Sequence, residues 1–204
     1  CSYQRRLSGG DGMNLFKRID PVDRAYKRLK GYCAKQFSCS GCRFDGDDGC
    51  IWGGEIFRCN QSEYRRIAHL PYVPLPGGDA AAKSPWRMAV SYLKSIYGSK
   101  ADYPETFIGR LGESHIRQIE MLIEKGVNTP LTSSTGRLFD AVASLLGICD
   151  ENTYQAEAAA LLEQIAENGI SRCYPINSDN PLDLRSLFDG ILKDYRLSVP
   201  VSEI

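Results

Sequence analysis

The sequence predicts an α/β chain that is rich in helix and poor in strand. Two short β-type runs lie between residues 50 and 70, and amphipathic runs with helix caps and stops follow from residue 84 onward. Two strands are too few to cover the apolar faces of those helices, so the pattern asks for further strands supplied from outside the chain.

The first 43 residues give the weakest pattern. A helix starting at Asp20 or Pro21 would run through PVDRAYKRLKGYC, with Val22, Tyr26, Leu29 and Cys33 on one side. CIWGGEIFRC and YRRIAHL read as two strands joined by a hairpin-like NQSE. LPYVPLPGGDAA, with three prolines and two glycines, reads as an ordered loop. KSPWRMAVSYLKSIYG is a helix with Ser84 as N-cap, Pro85 in the first turn and Gly98 as the stop. ESHIRQIEMLIEKG is a second, with Ile116, Ile119, Leu122 and Ile123 on its apolar face and Gly126 at its end. TPLTSSTGRLFDAVASLLGICD carries a polar turn into a helix that buries Leu138, Val142, Leu145 and Leu146. NTYQAEAAALLEQIAENG reads as a long Ala-rich helix with an Asn or Thr cap and a Gly stop. A further helix is expected over 183–195, and SVPVSEI looks like the start of another.

Charge is unevenly distributed. The chain carries 25 basic and 25 acidic residues, but residues 1–43 hold ten basic against three acidic, leaving a balance of −7 for the remainder. Such a block marks either a nucleic-acid-binding arm or a segment foreign to the rest of the chain. Aromatic and basic residues do not interleave there, so nucleic acid is not expected as a partner. No apolar run reaches the roughly 18 residues of a membrane span. The first residues, CSYQRRLSGGDG, hold no secretory h-region either, which favours a cytoplasmic protein. Cys1 at the start suits a cut piece of a longer protein better than a lipid-modified terminus. Eight cysteines at 1, 33, 39, 42, 50, 59, 149 and 173 fit reduced thiols. Cys39-x-x-Cys42, flanked by Cys33 and Cys50, would complete a four-thiolate zinc site only without the second close pair such sites show.

Constellations of chemistry are sparse. His69 and His115 stand far apart, neither in a metal-ligand spacing nor beside a nucleophile, and His115 is expected to be solvated. There is no Ser-His-Asp order, phosphate-binding Walker loop or dinucleotide fingerprint. FDGDDG resembles part of a calcium loop without its closing glutamate, which leaves a possible anion or metal site near Asp45.

DGCIWGGEIFRCNQSEYRRIAHLPYVPLPGGDAAAKSPWRMA and PLTSSTGRLFDAVASLLGI, followed by TYQAEAAALLE and YPINSDNPLDLRSLFDGIL, resemble the HypF family in the same order and at compatible spacing. The resemblance covers residues 44–204, about four-fifths of the chain, and sets 1–43 apart as an unassigned basic, Cys-containing segment. It implies part of an actin-like ATPase-type (ASKHA) domain, similar to that of the tRNA threonylcarbamoyl-adenosine synthesis enzymes. The implied activity is carbamoyl transfer in hydrogenase maturation, from carbamoyl adenylate, made from carbamoyl phosphate and ATP, to the C-terminal cysteine of HypE. The implied cofactors are ATP or carbamoyl adenylate and a divalent ion, zinc or iron with magnesium as a further option, acting as Lewis acid near the phosphates.

Residue by residue, the resemblance makes Asp45 the metal-binding aspartate and Gly46 part of the phosphate-approaching loop, where a missing side chain admits the backbone. It makes Asp140 the acceptor for the nucleotide ribose hydroxyls, and Glu157 a neighbour of a nucleotide-contacting turn in which the family carries glycine at the place of Ala156. Without it, Asp45 reads as a turn aspartate and Asp140 as a solvated helix residue. Arg137 and Lys83 read as surface ion-pair partners rather than phosphate contacts. LPGGDAA reads as structural, because no helix N-terminus is expected directly after it.

Departures from the family bear on the same site. The family loop runs roughly FDGTGYG before an acidic pair and glycine, whereas here FDG meets DDG directly; an ungapped alignment would remove the metal aspartate altogether. The histidine-rich metal motif (HHHAH) has no counterpart in residues 1–43, and the SGG-type nucleotide loop and last metal aspartate would lie past Ile204. The chain alone is therefore expected to be inactive, and to aggregate or be partly disordered if strand edges stay exposed. Residues 1–43 are expected to be frameshifted or foreign. The alternatives are carbamoyl transfer to a small-molecule hydroxyl, or a non-catalytic module with a zinc or nucleic-acid site in residues 1–50.

Overall fold

The computed structural model describes residues 48–60, 63–166, 173–175, 177, 179, 180 and 182–204. The helix expected from residue 20 or 21, the basic segment 1–43, and Asp45 and Gly46 lie outside the described residues.

Strands β1 (Glu55–Cys59) and β2 (Tyr64–His69) form the expected antiparallel hairpin, closed by the Asn60 amide donating to the Glu63 carbonyl at 2.9 Å. A bulge between Ile56 and Phe57 shifts the register, so Ile56 faces Ala68 while Phe57 faces Arg66. The segment read as a loop contains two elements instead. β3 (Val73–Pro74) pairs antiparallel with β4 (Leu131–Thr132), and helix α1 (Asp79–Lys83) starts directly after the paired glycines. Prolines at 71, 74 and 76 obscured β3, but a two-residue edge strand tolerates proline where an interior one does not. The expectation that no helix N-terminus follows LPGG is thus corrected, although a five-residue helix has little dipole to offer.

Helix α2 (Pro85–Tyr97) is the centre of the core. Met88 to Leu93 are all buried, a run that leaves no solvated face. Its neighbours are α3 (Glu105–Leu111), α4 (Glu113–Lys125), α5 (Thr135–Leu145) and α7 (Arg185–Arg196); Phe107, Ile116, Ile119, Leu138, Leu145, Phe188 and Leu192 close around it. Tyr92 stacks on Phe188 with centroids 5.5 Å apart. Helix α6 (Glu157–Ile165) packs on α5 through Ala143, Cys149 and Ala158.

Several expectations need correcting in detail. Ser84 precedes α2 but does not cap it: its hydroxyl donates to Glu151 at 2.8 Å. α6 is shorter than the Ala-rich run suggested; neither Asn nor Thr is its N-cap, which is Ala156 in the left-handed region (φ 64°). α3 went unread because its seven residues lie between Pro104 and Gly112, too few to show periodicity, yet Phe107 is fully buried. The C-terminal run SVPVSEI makes only a 3₁₀ turn, Val201–Glu203. Gly126 ends α4 in the left-handed conformation as expected, with the Val127 amide donating to the Leu122 carbonyl.

Among the described residues the fold is helix-rich α/β with few strands, and the helices bury much of one another around α2. Apolar side chains left exposed include Ile56, Phe57, Tyr64 and Ile67 on the hairpin and Met121 and Phe139 on the helices.

Candidate functional site around Asp140

The start of α5 is fixed by a clasp between two motifs far apart in sequence. The Glu55 carboxylate accepts from the Gly53 amide (2.6 Å), the Gly54 amide (3.0 Å) and the Ser133 hydroxyl. The Thr135 amide donates to the Gly53 carbonyl, and the Ser133 amide to the Ile51 carbonyl at 3.0 Å. Gly54 is required by space: an added Cβ would overlap the Ser133 carbonyl oxygen and stand 2.9 Å from Leu70 Cδ1. Ser134 then caps α5, its hydroxyl accepting from the Arg137 amide.

One turn into this helix, Asp140 is 1% exposed, which corrects its reading as a solvated residue. Arg137 Nη1 lies 2.7 Å from Asp140 Oδ2, so the partner of Arg137 is a buried carboxylate rather than a surface one. Burial pushes the Asp140 carboxyl above its ordinary range, while Arg137 and the Asn152 side chain pull the other way. The Tyr92 hydroxyl, fully buried on α2, has no hydrogen-bond partner among the described residues and feels both charges, Arg137 and Asp140.

Asn152, expected from the sequence only as a possible helix cap, ties the segment after α5 to α1 and to the start of α6. Its Oδ1 accepts from the Ala158 amide at 2.9 Å, its Nδ2 donates to the Ala82 carbonyl at 3.0 Å, and its own amide donates to the Lys83 carbonyl at 2.7 Å. Glu157 reaches back over its own turn, accepting from the amide and hydroxyl of Thr153 and from the Tyr154 amide. The Thr153 amide is the main cause of its lowered carboxyl pKa, followed by the Thr153 hydroxyl. The Glu157 side chain therefore shapes the turn, leaving the exposed Ala156 backbone at its crest. The Asn152 side chain thus braces the turn at Ala156–Glu157, and it also counters the upward push of burial on the Asp140 carboxyl. The sequence signal for Asn152 was a polar residue shortly before a helix, where a short amide serves as a local cap.

Asp48 is committed elsewhere. Its carboxylate accepts from Tyr72 (2.6 Å), Arg66 (2.7 Å), Trp52 Nε1 (2.9 Å) and the Cys50 amide (3.2 Å). Arg66 also lies over the Trp52 ring, 4.1 Å from its centroid. Neither histidine stands with a second ligand: His69 Nδ1 meets the Leu70 carbonyl, and exposed His115 Nδ1 meets the Leu111 carbonyl, each at 2.7 Å. Among the described residues, no three His, Cys, Asp or Glu side chains gather to hold a metal ion, so the implied divalent ion has no ligand set in them. Likewise, no helix among them is long and apolar enough to cross a membrane.

Fold and site together describe a helix-rich α/β lobe built around a buried carboxylate, and comparison with known proteins assigns its family. The family described as "Carbamoyltransferase, Kae1-like Domain, second subdomain" matches residues 44–204, and the chain belongs to it. Its similar relatives are HypF proteins. A carbamoyltransferase HypF homolog of Cupriavidus necator is 37% identical over 154 residues, covering 72% of this chain and 39% of the relative. A probable carbamoyltransferase HypF of Methanocaldococcus jannaschii is 41% identical over 155 residues, covering 74% and 20%. Among solved structures, full-length HypF in a phosphate- and nucleotide-bound form superposes with a TM-score of 0.59 at 32% identity, over 78% of this chain and 26% of that one. T. kodakarensis HypF gives 0.62 at 29%, over 76% and 22%. The chain therefore spans well under half the length of these relatives.

Proposed function

We propose that residues 44–204 form the nucleotide-holding lobe of a carbamoyltransferase that acts in the cytoplasm during hydrogenase maturation. The observation that carries this reading is the buried, Arg-paired Asp140 on α5, the helix against which α6 and its Ala156 turn pack. A carboxylate fixed in that way suits the two hydroxyls of a ribose; because Asp140 is 1% exposed, the reading requires its neighbours to open as the nucleotide enters beside the Ala156–Glu157 turn. The nucleotide-bound form of a HypF relative supports a nucleotide in this family.

The reaction is acyl transfer. The thiolate of the C-terminal cysteine of HypE attacks the carbamoyl carbon of carbamoyl adenylate; a C–S bond forms, the C–O bond to phosphate breaks, and AMP departs with the electron pair. This lobe contributes the grip on adenosine, which holds the carbamoyl group in place for attack. The chain alone is expected to bind nucleotide without transferring the carbamoyl group.

The test gives the chain carbamoyl phosphate, ATP or AMP, and a peptide ending in cysteine, and follows the peptide by mass and AMP by equilibrium dialysis. Retained AMP with an unmodified peptide is expected. Thiocarbamate on the peptide would overturn the inactivity of the lone chain, and absence of retained AMP would overturn the lobe's role.

A further inference from the structure

We infer that Arg137 is a positioning residue of the nucleotide site: across one turn of α5 it holds the buried Asp140 side chain fixed as an anion, ready to accept from ribose hydroxyls. The inference rests on the ribose reading of Asp140.

Asp140 is 1% exposed, and a carboxylate removed from water takes up a proton unless a cation faces it. A protonated carboxyl is a donor with reduced acceptor capacity, a poor match for a diol that needs acceptors. The groups that bear on Asp140 come from three directions. Arg137 lies on its own helix, Tyr92 on α2, and Asn152 and Cys149 on the segment after α5. Tyr92 and Cys149 are both pushed upward, first by burial, so they stay neutral beside it. Asn152 carries no charge, which leaves Arg137 as the cation of this set.

Arg137 is itself held. Its amide donates to the Ser134 hydroxyl and carbonyl, and Ser134 sits in the turn clasped to Gly53, Gly54 and Glu55. Its side chain is 19% exposed, so the guanidinium is screened from solvent where it meets Asp140. The i,i+3 spacing lets it reach one carboxylate oxygen, Oδ2, at 2.7 Å. Lysine at this position keeps the charge without the planar fork, and glutamine keeps bulk and polarity without the charge.

Two readouts on the full chain test this. The carboxyl-carbon chemical shift of Asp140, followed against pH, reports its protonation without any ligand. Calorimetry with AMP from pH 5.5 to 8.5 reports binding. Arg137→Gln is expected to raise the Asp140 titration by at least about one pH unit, a tenfold change in proton affinity. AMP binding should weaken by up to about tenfold toward the acid end of that range, with recovery as pH rises, whereas Arg137→Lys keeps most of both. An unmoved Asp140 titration in Arg137→Gln would overturn the inference, even if AMP binding fell equally at every pH, since that pattern belongs to a direct contact or a misfolded site. If Asp140→Asn bound AMP as the parent does, the ribose reading would fail separately, while the carboxyl titration would still decide whether Arg137 holds the anion.

Discussion

Gly54→Ala is expected to destabilise the chain by about 1–3 kcal/mol. The added Cβ would overlap the Ser133 carbonyl and come 2.9 Å from Leu70 Cδ1, and backbone on one side with a core side chain on the other leaves no flexible end to yield. Overpacking of this kind costs about 1–3 kcal/mol. If the chain relieves it by parting the turn from Ser133, the Ser133–Glu55 hydrogen bond goes instead, at about 1 kcal/mol, with the capped start of α5 loosened as well. For a chain of this size each kcal/mol moves the midpoint by about 2–4 °C, so the Tm should fall by roughly 2–12 °C. Gly109→Ala is the internal control. Gly109 lies inside α3 with nothing within 4 Å of an added Cβ, so the same chemical change should stabilise by about 0.5–1 kcal/mol. Urea and thermal unfolding followed by circular dichroism at about 222 nm, the band where helix dominates, measure both. A Gly54→Ala protein within about 0.5 kcal/mol of the parent, or a Gly109→Ala protein that falls as far, would refute the clasp.

Ala156→Gly should stabilise by about 1 kcal/mol, because Ala156 holds φ 64° and a Cβ is strained in the left-handed region; a loss in Tm would contradict this. Asp48 is held far below the ordinary carboxylate range, first by Tyr72 and then by Arg66. Its contribution is present above the unfolded pKa of about 3.9 and disappears only as pH falls through the lower folded value. Trp52 emission in a Trp86→Phe protein should accordingly stay level down to about pH 3.5, and a transition centred at the ordinary value would contradict it. Among the described cysteines, exposed Cys59 and Cys173 should be alkylated well before Cys149, which is buried with its thiol pushed up by burial and then by Glu157; mass mapping that found Cys149 first would be inconsistent with this packing.

What was legible in the sequence was periodic or capped. The α4 stripe with its Gly126 stop, the α5 face after Ser134, and the β1–β2 hairpin lie near where the pattern put them. What was not legible depended on tertiary partners. β3 is a strand only because Leu131–Thr132 lies beside it, and Ser84 turns from cap to ligand of Glu151 only because the α5–α6 connection folds back on α2. At the site, Asp140 was named from resemblance, but its burial, its pairing with Arg137 and the bridging role of Asn152 follow from packing between α2, α5 and α6. Glu157 was named for a nearby turn, and its carboxylate proves to build that turn.

The most direct test of the account compares AMP with its 2′,3′-dideoxy analogue, by calorimetry on the full chain and on Asp140→Asn. If Asp140 accepts from the ribose hydroxyls, the parent loses at least about tenfold in affinity for the dideoxy compound, because a polar site built for hydroxyls rejects a ligand that lacks them. Asp140→Asn should then discriminate far less. Equal affinity of the parent for both compounds would contradict the central claim.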